Sequence, residues 1–170
     1  LSAKCRHYQT VGGMPEAVSA WCEKRDLTLA REVQQAIADT FKEDILRCTD
    51  PLDISKIQRI WQSLPLQLSQ GNRRFCLSEV EPRTNLRKYG SAIEWLVDNR
   101  MVRCVYRVSE PGVPLSDSVD PVAFRLYFAD VGLFSHLCGI EPALRESRPE
   151  LFPVLCKSLA EHFVLQSLAA

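Results

Sequence analysis

Over most of this chain the apolar residues keep a helical spacing, and over one short stretch they switch to alternation; that switch limits the folds open to it. From about Leu27 to Arg47, Leu29, Val33, Ile37, Phe41 and Ile45 recur at every fourth position, with Arg31, Glu32, Gln34, Lys42 and Glu43 largely on the opposite side. Such spacing predicts an amphipathic packing helix. A second stripe, Ile57, Ile60, Trp61, Leu64 and Leu68, predicts a helix from about Ile54 to Gln70, ended by Gly71-Asn72. Pro65 should kink or divide it, because proline removes a backbone donor and crowds the preceding turn. Thr84 or Asn85 can cap a third helix to about Asn99, with Leu86, Tyr89, Ile93, Leu96 and Val97 on its apolar side. The period then changes. Met101 to Val108 alternates with Arg103 and Arg107, which predicts a strand, and Ala123 to Phe128 predicts a second strand returning beside it. Between them, Glu110 to Pro121 carries three prolines and a glycine and is expected to be a loop.

Around this centre the signals are shorter. Gly12-Gly13-Met14-Pro15 predicts a helix starting near Pro15 and running toward Lys24. Thr49-Asp50-Pro51 is a turn signal, and Arg73 to Val80 is short and partly alternating, so a strand or extended connection is expected. Asp130 can cap a short helix through Leu137, closed by Gly139; Arg145 to Pro153 should be a polar connection, with the last helix beginning near Leu155. The fold class is therefore α+β and mainly helical: N-terminal helices, a winged-helix-like module and a C-terminal helix. The expected divisions are a helical connector over 1–50, the winged-helix-like module over 51–130 and a helical extension over 131–170. Trp61, Leu64, Ile93, Trp95, Leu96 and Phe128 are expected to share a core.

Composition narrows the function classes. Twenty-one basic residues balance 21 acidic ones, so no net field draws the whole molecule to nucleic acid or an anionic membrane. No apolar run approaches the roughly 18 residues of a membrane span, and no signal-peptide pattern opens the chain, so a soluble, cytoplasmic protein without a membrane partner is expected. The chain opens on Leu1 and not Met, as an internal segment would. Its seven cysteines are scattered without a C-x-x-C pair, which suits reduced thiols serving as small buried hydrophobes.

Catalytic motifs are missing. No G-x-x-x-x-G-K-[ST] loop occurs to cradle phosphates, and no H-E-x-x-H or G-x-S-x-G pattern occurs; His7, His136 and His162 are far apart. Gly12-Gly13 lacks a following Lys-Ser or Lys-Thr, leaving a turn or a hinge as its reading. Glu161 alone cannot supply the several carboxylates of a metal-dependent nuclease. Charge is uneven in one place: from Arg73 to Arg107, eight basic residues face four acidic ones. Within it, Arg87 and Lys88 fall in the first turn of the helix that would enter a DNA groove, with Arg83 just before it. Arg103 and Arg107 would project from the wing toward phosphates of double-stranded DNA. The competing reading is a solvated face.

Four stretches also carry a resemblance. Val11-Gly12-Gly13-Met14-Pro15-Glu16-Ala17-Val18, Ile60-Trp61-Gln62-Ser63-Leu64-Pro65, Tyr89 with Glu94-Trp95-Leu96, and Phe128-Ala129-Asp130-Val131-Gly132-Leu133 resemble successive landmarks of one family. It is the domain of unknown function that follows the nucleotide-binding core in prokaryotic AAA-type predicted ATPases. The resemblance implies a non-catalytic accessory domain linking an ATPase core to a terminal effector domain. ATP and magnesium are then expected only in the N-terminal domain, outside this chain, and no cofactor within it. Lys157 to Gln166 resembles the helix opening a nuclease-like C-terminal domain. An independent winged-helix DNA-binding domain and a fragment of a nuclease-fold protein are the alternatives.

Overall fold

A computed structural model describes residues 3–48, 51–72, 74–110 and 112–169. Helices α1 (Ala3–Val11), α2 (Pro15–Lys24) and α3 (Leu27–Leu46) come first. They are followed by α4 (Pro51–Ser69), the helical turn α5 (Leu77–Val80) and α6 (Leu86–Asp98). Strands β1 (Val102–Val108) and β2 (Val119–Phe128) form an antiparallel hairpin, and α7 (Val131–Leu137), α8 (Pro142–Ser147) and α9 (Pro153–Leu168) complete the chain. The fold is mainly helical α+β, its one described sheet being the two-stranded β1–β2 hairpin.

Long apolar stripes gave α3, α4 and α6 their places. α4 buries Ile57, Ile60 and Leu64, α6 buries Tyr89, Ile93 and Leu96, and Leu126 and Phe128 of β2 belong to the same core. Trp61 is set edge-on to Phe128, with ring centroids 4.9 Å apart, and Phe128 in turn stacks on Phe134 of α7. Leu155 and Leu159 of α9 close the same core, which therefore draws on both the central and the C-terminal segment. Trp61, Leu64, Ile93, Leu96 and Phe128 are buried as expected, whereas Trp95 is half-buried at the core's edge.

Several expectations need correction. α4 starts at Pro51, a residue suited to a first helical turn, and passes through Pro65 without division. Leu64 and Leu68, 1% and 4% exposed, anchor the helix on either side of Pro65, and that packing outweighs one lost backbone bond. Residues 75–76 are extended, as Phe75 N donates to Phe124 O at 2.8 Å, but Leu77–Val80 is helical and not strand. Buried Gln67 clamps this connection: its Oε1 accepts from Cys76 N at 2.8 Å and its Nε2 donates to Cys76 O at 3.2 Å. β2 begins at Val119, so the end of the expected loop is strand, with an irregular register beyond the Tyr106–Phe124 pair. The 145–153 stretch contains the end of α8 and a short 3-10 turn, and Arg145 within it is buried, donating to Ser135 Oγ and Thr10 Oγ1. α9 starts at Pro153. Helix α1 had no apolar stripe to announce it; Gln34 of α3 holds its end by donating to the Thr10 and Val11 carbonyls. Thr49, Asp50, Arg73 and Pro111 lie outside the described residues.

Candidate nucleic-acid interface

The strongest site candidate is the outer side of α6, because burial of its inner stripe decides what the rest presents. Asn85 caps the helix, its Oδ1 accepting from Lys88 N at 3.2 Å. Before it, Arg83 adopts a left-handed conformation (φ 58°), the backbone state that turns the chain from α5 into α6. With Tyr89, Ala92, Ile93 and Leu96 facing inward, Arg87, Ser91, Glu94 and Asp98 fall on one exposed outer stripe. The stripe is cationic only at its N-terminal end; Glu94 and Asp98 make its other half repel phosphate.

Arg83 and Arg87 are exposed and stand outside every ion pair among the described residues. Lys88, though exposed, is already engaged. Glu81 accepts hydrogen bonds from Lys88 Nζ and from Tyr89 Oη, the latter at 2.7 Å, and Arg59 approaches it at 3.5 Å. The hydrogen bonds from Lys88 and Tyr89 hold the Glu81 carboxyl below the usual carboxylate range. Burial, and then Glu81, push the Tyr89 hydroxyl up. Glu81 thus neutralises part of the charge expected to meet DNA, and no local pattern marked it, because its partners lie on α4 and α6.

The two hairpin arginines separate. Arg107 is exposed toward the far end of β1. Arg103 is half-buried at the base of the hairpin, in a cleft with Arg100, Val97, Gly13 and Gln166. Arg100 follows the C-terminal end of α6, and a helix of this length spans about 20 Å, so Arg103 sits a helix length from Arg87. Arg103, expected with Arg107 to face phosphates from the hairpin, is thus set apart from Arg107: β1 enters directly from α6, and its first residues belong to the packed base of the hairpin.

Gly12 and Gly13 form a joint held against Asp130. Gly12 has φ 79°, and a Cβ there would lie 2.1 Å from Asp130 Oδ1. Gly13 N donates to Asp130 Oδ2 at 2.6 Å, across 117 positions of sequence. Gly132 matches this from the other side, since a Cβ on it would lie 2.5 Å from the Val11 carbonyl oxygen. Asp130 also caps α7 through Leu133 N at 3.0 Å and accepts from Gln166 Nε2 at 3.0 Å. Only the capping role was signalled locally.

The remaining polar candidates have structural partners. Glu161 pairs with Arg125 at 2.9 Å, tying α9 to β2. His162 is buried; its Nε2 donates to Phe128 O at 2.7 Å, and burial pushes its pKa down to about 4. His136 Nε2 lies 3.0 Å from Gln35 Oε1. The cysteines are free, but they are half-buried or, at Cys22, exposed, so the expectation of small buried hydrophobes is corrected; Cys48, Cys104 and Cys138 pack at the margins of the core. Burial pushes the Cys138 thiol up to about 12, against any role as a nucleophile. Among the described residues, no three His, Cys, Asp or Glu side chains are grouped to hold a metal ion, and no helix is long and apolar enough to cross a membrane.

With this geometry in view, residues 2–144 match the family model described as "Domain of unknown function (DUF8612)", and the chain belongs to that family. Neither a curated protein nor a solved structure matches the chain.

Proposed function

We propose that the chain is a non-catalytic accessory module of a larger prokaryotic, cytoplasmic ATP-binding protein, linking an AAA-type nucleotide-binding core to a terminal effector domain. The observation that carries this reading is the convergence of the stretches that resemble that family. Gly12-Gly13 meets Asp130 and Gly132, Trp61 meets Phe128, and Tyr89 and Leu96 share their core. Contacts of this kind, which join distant parts of the chain, are what a scaffold needs. The rest of the parent ATPase is then the first partner, and ATP and magnesium belong to its P-loop domain. Two measurements test the reading. The coding sequence upstream should contain a G-x-x-x-x-G-K-[ST] loop, and its absence sinks the proposal. Calorimetry of the isolated chain with Mg-ATP should give no heat of binding; micromolar affinity would place nucleotide chemistry in this segment.

A second reading is favoured by the exposure of Arg83 and Arg87 at an open helix N-terminus: contact with double-stranded DNA through α6. The acidic half of the outer stripe confines that contact to the first turns. A salt-dependent affinity for duplex DNA is its signature.

A further inference from the structure

A second surface combines charge with exposed aromatic area. Beside the wing, a groove of about 760 Å³ runs between the α4–α5 connection and the hairpin, bounded by Arg74, Tyr106, Arg107 and Phe124. Its floor is aromatic. Phe75 lies 6.0 Å from Phe124 and Tyr106 lies 5.9 Å from Phe124, ring centre to ring centre, so a line of rings leads from the core to the surface. Tyr106 ends that line at 49% exposure, presenting ring area to solvent.

The charged residues lining the groove are three arginines, Arg74, Arg107 and Arg125, against one carboxylate, Asp120. Arg125 is committed to Glu161. Asp120, across the hairpin from Arg107, accepts from Val122 N at 3.0 Å and keeps its negative charge, so the excess of positive charge in the groove rests on Arg74 and Arg107. Arg74 and Arg107 are exposed and belong to no ion pair among the described residues. A half-exposed ring sharing one groove with two guanidinium groups outside any described ion pair complements a chain that alternates flat apolar rings with phosphates. We propose that this groove binds a single strand of nucleic acid, one base stacking on Tyr106 while Arg74 and Arg107 hold the flanking phosphates. A duplex does not fit the same chemistry, since its base faces are covered by their neighbours. The proposal is independent of duplex contact through α6 and of the accessory role.

Fluorescence anisotropy with labelled oligothymidine, labelled oligouridine and a duplex of equal length tests it on the intact chain. Both single strands, or one of them, should bind at low salt and more tightly than the duplex; comparing thymidine with uridine assigns DNA or RNA as the source. Tyr106→Ala should weaken single-strand binding about tenfold, whereas Tyr106→Phe, which keeps the ring, should retain it. Arg107→Ala should reduce the magnitude of the log–log salt slope by about 0.7, the value for one phosphate on a single strand. Circular dichroism establishes that each variant is folded; should Tyr106→Ala unfold, Arg107→Ala and Arg74→Ala carry the test alone. Absence of single-strand binding, as expected if the groove instead docks a protein, overturns the proposal. So does binding that the folded variants leave unchanged.

Discussion

Asp130 distributes its two oxygens over separate tasks: Oδ1 caps α7 at Leu133 N, and Oδ2 receives Gly13 N and Gln166 Nε2. Gly12 leaves room for that carboxylate, so Gly12→Ala should destabilise the fold on two grounds. A left-handed backbone costs a residue with a Cβ about 1–2 kcal/mol, and displacing Asp130 weakens charge-assisted bonds worth about as much again. A drop of at least about 2 kcal/mol in urea unfolding is expected; a loss under about 0.5 kcal/mol would show that the joint yields. His162 makes a pH-dependent contribution of opposite character, because it is buried neutral and its Nδ1 has no partner to receive a second proton's bond. Its folded pKa, about 4, lies below the unfolded value near 6.5. The unfolded chain therefore takes up the proton first, and stability falls as pH drops from about 6.5 to about 4, then levels off for this group. The loss is on the order of 3 kcal/mol. His162→Gln keeps a donor near Phe128 O without titrating, so its urea midpoint should fall less steeply over that interval; parallel curves would remove His162 as the cause.

At the scale of elements, α6 shows what periodicity can and cannot convey. Its inner stripe, cap and span were legible because each is set by residues within a few positions: Tyr89, Ile93 and Leu96 by spacing, Asn85 by its side-chain acceptor. Its electrostatic character was not, because Glu81 reaches Lys88 and Tyr89 from the preceding turn, and Arg103 is carried to the opposite end. The turn itself was hidden by Arg83, which occupies a left-handed position where glycine is the usual signal. For the same reason α1, fastened by Gln34 and Arg145 instead of an apolar stripe, left no periodic trace. Arg83 offers a clean probe of the duplex reading. Arg83→Gly removes a charge while relieving the backbone, so stability should hold or rise by up to about 1 kcal/mol. If α6 contacts phosphates, Arg83→Gly and Arg87→Ala should each reduce the magnitude of the duplex salt slope by about 0.9, and Lys88→Ala by less because Glu81 already engages it. Equal, undiminished slopes in all three variants would dismiss α6 as the contact.

Across the whole molecule, the ties cross the sequence divisions. The joint at Gly13 and Asp130 binds the first segment to the start of the last. Gln34 and Arg145 both reach Thr10, and Ser158 of α9 donates to Leu68 O of α4 at 2.6 Å. Ala38 and Ile45 of α3 enter the same apolar core as Leu96 and Leu159. Separate folding of residues 1–50 would require breaking these polar ties and exposing that shared apolar surface, each a cost with no compensation inside the segment. Unfolding should therefore be one cooperative event. The three tryptophans make this measurable, since Trp21 lies on α2 in the outer layer, Trp61 in the core and Trp95 at its edge. Variants retaining one tryptophan each, with the others replaced by Phe, differ in stability. Each must therefore be compared with its own far-ultraviolet circular dichroism, and fluorescence and dichroism should give the same urea midpoint in every case. A Trp21 signal that changes at lower urea than the dichroism of the same variant would instead mark the N-terminal helices as a unit able to detach, and the joint at Asp130 would then be the point at which the molecule opens.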